Sequence, residues 1–140
     1  MGKLGYAASG IGERDLALGY DEFRKRTAGA SFPFVSTNVV RKDNGEPAFK
    51  PFTVIEAPRG GGKPPIRVGV LSVVRFSPMF LKAGPEGTNL VIAPPAKMVA
   101  RYLEEVRGAA DVVVLLACMS RDDARDVVRQ VPGLDLVVGA

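Results

Sequence analysis

Apolar positions fall into short β-branched runs and helical stripes, punctuated by glycine and proline. Ile66–Val74 and Val112–Cys118 are almost continuously apolar, the pattern of strands covered on both faces. After Pro94-Pro95, suited to a first helical turn, Met98, Val99, Tyr102, Leu103 and Val106 recur at helical spacing, and Gly108 is the expected stop. Ser120 with Asp123 forms a capping pair for a further helix, whose predicted buried face is Ala124, Val127 and Val128. Leu134–Val138 reads as a last strand.

The first half is patterned differently. Tyr6–Ile11 predicts a strand entering a turn at Gly12. Tyr20–Ala28 predicts a helix with Tyr20, Phe23 and Thr27 on one face and Gly29 as its stop. Phe32–Asn38 reads as a strand with its proline near the start, Arg41–Glu46 as a polar turn, and Phe52–Ala57 as a strand leading through a loop to Ile66. Phe76–Asn89, rich in glycine and proline, is expected to be irregular.

Helix, strand, helix, strand in the second half implies right-handed crossovers and a parallel sheet. The class is therefore α/β, a mixed, partly parallel sheet with flanking helices. Arg67–Val74 and Val112–Cys118 should be central, with Leu134–Val138 beside the latter. At 140 residues the chain is one domain at most.

Composition narrows the chemistry. There is no His and only one Cys. That excludes a Ser-His-Asp triad, a Cys-His pair and the usual zinc sites within this chain. The net charge of +4 is spread over Arg24-Lys25-Arg26, Arg41-Lys42, Arg59, Lys63 and Arg67, without a basic stripe interleaved with aromatics. No nucleic-acid partner is expected from it. No membrane partner is expected either: the longest purely apolar run, Val112–Met119, suits a strand, whereas a membrane helix needs about 20 residues. No signal peptide or transmembrane segment is legible, so the compartment stays open. Gly60-Gly61-Gly62-Lys63 is followed by Pro64, not by the Ser or Thr of a phosphate-binding loop, and reads as a hairpin loop.

The order of motifs resembles the 5′-nucleotidase family and its calcineurin-like metallophosphoesterase domain. Leu4-Gly5-Tyr6-Ala7 with Gly12–Gly19 is similar to the family's "lGYDa…GNHEFDyG" segment, and Phe32–Asn38 to its "fPvlsaNv". Lys50-Pro51-Phe52 resembles "kpy", and Arg67–Ser72 resembles "kVGviGl". Ala110–Leu116 resembles "aDvvvlLsHlG", and Val131–Gly139 resembles "vpGIDlIigGH". The resemblance implies part of an α/β/β/α sandwich, with residues 1–140 a partial metallophosphoesterase domain. Met1 falls past the family's first two strands, and Ala140 falls short of its last His-x-His ligands.

The family hydrolyses nucleotide phosphate monoesters with two divalent ions (Zn, Mn or Mg), and often works in the periplasm or outside the cell. By position, Glu13 stands where the family has a metal-binding Asn, and Arg14 where it has the His that stabilises the transition state. Cys118 stands where it has a metal-binding His. The plainer readings are a solvated loop carboxylate for Glu13, a surface arginine for Arg14 and a small core residue for Cys118. Asp15 is expected to cap the helix near Tyr20, and Asn38 to bond to adjacent loop backbone. Tyr6 and Tyr102 are expected to pack. As it stands the chain should hold no metal cofactor and be inactive. The alternative is a non-catalytic relative that binds a nucleotide, another phosphorylated ligand or a partner chain. An open sheet edge where the family's first strands would lie should favour self-association.

Overall fold

The computed structural model of the chain describes residues 5–17, 19–76 and 89–139. Its largest sheet has four strands in the order β4 (Phe52–Ala57), β5 (Ile66–Val74), β7 (Val112–Cys118), β8 (Leu136–Gly139). β4 is antiparallel to β5, while β5, β7 and β8 are parallel. The expected mixed sheet and its central pair are both present. Two helices, α2 (Pro95–Ala109) and α3 (Arg121–Gln130), cross over one face. Their Val99, Leu103, Val106, Ala124 and Val127 pack on Leu71, Val73, Val113, Leu115 and Ala117 of the sheet.

The second layer is built from shorter pieces. β1 (Ser9–Gly10) pairs in parallel with β2 (Phe34–Val35), and β3 (Val39–Arg41) pairs antiparallel with β6 (Leu90–Ile92). With α1 (Tyr20–Thr27) they enclose a second core of Ile11, Leu16, Phe23, Val39, Ala48, Val74 and Leu90. Phe23 stands edge-on to both Phe34 and Phe49. Gly10 makes the close approach of the two layers possible. A Cβ there would stand 2.5 Å from Ser72 Oγ, so any larger residue would have to displace the Ser72 hydroxyl for β1 to lie this close to the larger sheet.

Two side chains join the layers. β4 ends against Leu71, because Pro51 precedes Phe52 and has no N–H to donate. Thr37 and Asn38 take over along that edge of β5. Thr37 N donates to Ser72 O (2.7 Å), and Ser72 N donates to Thr37 Oγ1 (2.9 Å), whose hydroxyl donates to Pro51 O (2.6 Å). Val74 N donates to Asn38 Oδ1 (2.9 Å), and Asn38 Nδ2 donates to Val74 O (2.8 Å) and Ala93 O (3.0 Å). Asn38 thus bonds to backbone, but not to the adjacent loop as expected: its partners are the distant Val74 at the end of β5 and Ala93 after β6.

Several sequence expectations change. The strands read over Tyr6–Ile11 and Phe32–Asn38 shrink to Ser9–Gly10 and Phe34–Val35; in the latter, Ser36 N turns to Lys50 O, and Thr37 and Asn38 bond to β5 instead. α2 runs through Gly108 to Ala109, and Ala110 is extended. Asp15 does not cap α1: Gly19 holds that position, and Asp15 Oδ2 accepts from Gly12 N (2.7 Å) within the preceding turn. Val128 is 39% exposed, since it overhangs the rim of the sheet beside β8. The irregular stretch expected over Phe76–Asn89 lies mostly outside the described residues. Tyr102 packs on Phe52, and Tyr6 on Phe32.

At the amino ends of β5 and β7, Arg67 and Asp111 clasp each other. Arg67 Nη2 donates to Asp111 Oδ1 (2.8 Å), and Arg67 N donates to Oδ2 (2.9 Å). Arg67 holds the Asp111 carboxyl well below the usual carboxylate range, down to about 2. A carboxyl lowered in the folded state stabilises it above the unfolded value of about 3.9 and loses that contribution as pH falls through the folded value. Acid unfolding is therefore expected to steepen between about pH 4 and 2, and Asp111→Asn to remove that dependence. Chemical denaturation midpoints across this range check it.

β8 is bare on one side. Leu136 and Val138 are 53% and 46% exposed, on the face shared with Val114 and Leu116. We propose that this apolar strand mediates self-association. Leu136→Lys is expected to shift the chain toward monomer in size-exclusion light scattering. A monodisperse monomer before substitution would count against it.

Candidate active site

Parallel strands gather their carboxyl ends on one rim, where α/β proteins place ligands. Val74 and Cys118 are register partners at the ends of β5 and β7. The next residue, Arg75, donates its N–H to Cys118 O (3.2 Å). Beyond β7, Ser120 starts α3: its Oγ accepts from Asp123 N (3.2 Å) and donates to Asp123 Oδ2 (2.6 Å). The capping pair read from the sequence is therefore formed.

The turn after β1 arrives from the other layer. Ile11 N donates to Val35 O, and the Asp15 carboxylate then closes the turn on Gly12 N. Gly12 lies against the thiol, where an added Cβ would stand 3.2 Å from Cys118 Sγ. This contact brings Glu13 to the rim. Glu13, Arg75, Cys118, Met119 and Ser120 line one small cavity of about 280 Å³. Glu13 and Cys118 are both half-buried.

Arg14 goes elsewhere. It is exposed and lines a separate cavity of about 330 Å³ with Ser9, Asp15, Phe23, Arg26, Thr27 and Phe34. The fold thus unites Glu13 with Cys118 and leaves Arg14 apart. Sequence reasoning missed Arg75 and Ser120. Arg75 carried a signal, as the first charged residue after the apolar run of β5. Ser120 was legible only as a cap.

The cavity joins one carboxylate, one thiol, one hydroxyl and one guanidinium, whose Nη1 lies 3.9 Å from Asp123 Oδ2. Among the described residues no group of three or more His, Cys, Asp or Glu converges. A hard carboxylate and a soft thiol are two donors of unlike preference. They do not fit a two-metal centre, which needs several ligands in fixed geometry.

No protein-family model matches the chain. It is similar to the 2′,3′-cyclic-nucleotide 2′-phosphodiesterase/3′-nucleotidase of Yersinia enterocolitica, with 28% identity over 99% of this chain and 23% of that protein. It is also similar to Protein UshA of Salmonella pullorum, with 23% identity over 95% of this chain and 24% of that protein. The chain spans about a quarter of the length of these curated relatives. Among solved structures it resembles the calcineurin-like phosphoesterase YfkN of Bacillus subtilis, with a TM-score of 0.82 and 22% identity, covering 97% of this chain and 45% of that one. It also resembles a 5′-nucleotidase precursor of Thermus thermophilus, with a TM-score of 0.76 and 22% identity over 99% of this chain and 26% of that one. Fold and sequence comparisons agree with the resemblance carried by the motifs: the chain is similar in sequence to nucleotidases and has the fold of part of a calcineurin-like phosphoesterase.

Proposed function

We propose that this chain is the central scaffold of a phosphoesterase-like domain and does not, as it stands, hydrolyse nucleotide phosphate esters. The observation that carries this reading is the donor set at the strand ends: Glu13 and Cys118 share a cavity with Arg75 and Ser120, and no third acid, thiol or imidazole joins them among the described residues. Arg14 stands apart from that cavity. A guanidinium keeps its charge in proteins and so does not serve as a proton donor at neutral pH. Without a two-metal centre or an imidazole among the described residues, the cavity lacks the groups that would supply even the roughly 8 kcal/mol of a modest enzymatic rate enhancement.

The second reading, a non-catalytic relative that binds a phosphorylated ligand, has one observation in its favour. Arg75 presents a guanidinium to the cavity with only a 3.9 Å ion pair to Asp123. A guanidinium fork is well matched to phosphate oxygens.

The purified chain, given Mn, Zn or Mg and a chromogenic phosphate ester, is expected to turn over at the background rate. Metal-dependent turnover abolished by Glu13→Ala or Cys118→Ser would overturn the first reading. Binding of a nucleoside monophosphate that weakens about tenfold or more in Arg75→Gln, seen by calorimetry, would favour the second.

A further inference from the structure

Tyr20 opens α1 with its ring packed on Phe49 (centroids 5.2 Å apart) and its hydroxyl donating to Ala48 O (3.2 Å). The core beneath thus fixes where the phenol sits. Two arginines from different elements reach its oxygen. Arg24, one turn further along α1, donates from Nη1 at 3.1 Å. Arg41, at the end of β3, donates from Nη2 at 3.5 Å. Their guanidinium carbons lie 5.8 and 5.5 Å from the ring centroid.

Attraction to the ring face explains why one cation settles there. Gathering two at one neutral oxygen is opposed by their mutual repulsion, which water screens only in part. The acids around them do not relieve it. Glu22 is engaged by Arg26 (2.8 Å), and Glu46 faces Arg101 (3.9 Å). Asp21 raises the pKa of Arg24 slightly through space, behind the larger effect of Tyr20. Among the described residues, however, the ion pairs include neither Arg24 nor Arg41. Lys25 and Lys42, next along the chain, add positive charge, against Asp43 after Lys42.

We propose that Arg24 and Arg41, gathered by the Tyr20 hydroxyl, form a binding site for a tetrahedral oxyanion, a phosphate group in particular. A phosphate placed between the two guanidinium groups accepts from both forks and replaces repulsion with two charge-assisted contacts. The Tyr20 hydroxyl, whose proton goes to Ala48 O, accepts from both guanidinium groups and so holds them close together at a position set by packing. The site shares no residue with the cavity of Glu13, Arg75 and Cys118, so its occupancy is independent of that cavity. The phosphate comes either free or as a monoester, and the same two guanidinium groups meet both.

The test is an amide-resolved NMR titration of the full chain at constant ionic strength, with a chelator present. One arm uses inorganic phosphate, a second uses phenyl phosphate, and sodium chloride is the control. In at least one phosphate arm, saturable shifts centred on Tyr20, Arg24 and Arg41 are expected, with a Kd of about 1 mM or tighter. Arg24→Gln and Arg41→Gln should each weaken binding about tenfold or more. Arg129→Gln on α3 should leave it unchanged. Saturation with inorganic phosphate assigns the site to the bare anion; saturation with phenyl phosphate alone assigns it to a monoester. Shifts that never saturate, that chloride reproduces, or that survive both substitutions would overturn the site.

Discussion

The structure depends on a substitution of side chains for backbone along one edge of β5. Where Pro51 ends β4, the last residues of β5 would face a missing neighbour in the middle of the protein. Thr37 and Asn38 fill that place with paired donors and acceptors, at distances from 2.6 to 3.0 Å. Both residues are fully buried. A buried amide or carbonyl left unpaired costs about 1–3 kcal/mol, so these bonds matter more for what their loss exposes than for what each adds. They also fix the height of the second layer, because Asn38 ties Val74 of β5 to Ala93 after β6.

The candidate site follows from that join. With the carboxyl end of β5 held, Arg75 reaches the Cys118 carbonyl and the two parallel strands end on a common rim. Gly10 then allows β1 to lie on Ser72, and Gly12 allows the following turn to meet the Cys118 thiol. Glu13 arrives at the rim as the next residue. The scaffold is that of a phosphoesterase-like domain, but the chemistry it delivers is one carboxylate and one thiol beside a guanidinium. The fold resembles that of calcineurin-like phosphoesterases, while the donors it gathers at the strand ends are too few and too unlike for a two-metal centre.

The parallel half of the fold was legible because its signals are local and redundant. Val112–Cys118 is apolar throughout, and Ser120 announces the helix after it. Phe52–Ala57 and Ile66–Val74 are bounded by proline and glycine, and the strands occupy those residues. The first half was less legible. The strands of its second layer are two or three residues long, too short for any periodicity, and β6, which completes that layer, gave no pattern at all. Ser36–Asn38 looks like a strand continuing, yet the side chains of Thr37 and Asn38 bond across to β5, a long-range event that no local window shows. At the site, position in the family's motifs brought Glu13 and Cys118 forward, and they share a cavity. The same reasoning placed Arg14 beside them, but the turn closed by Asp15 sends Arg14 to the other side.

The most direct test of the join is amide hydrogen exchange at Ser72 and Val74, whose N–H groups donate to side chains and not to a neighbouring strand. In the unsubstituted chain both amides are expected to exchange as slowly as those of Leu115 in β7. In Asn38→Ala, Val74 is expected to exchange at least about tenfold faster, equivalent to about 1.4 kcal/mol. Rapid exchange of Val74 before any substitution, or exchange unaffected by Asn38→Ala, would contradict the account.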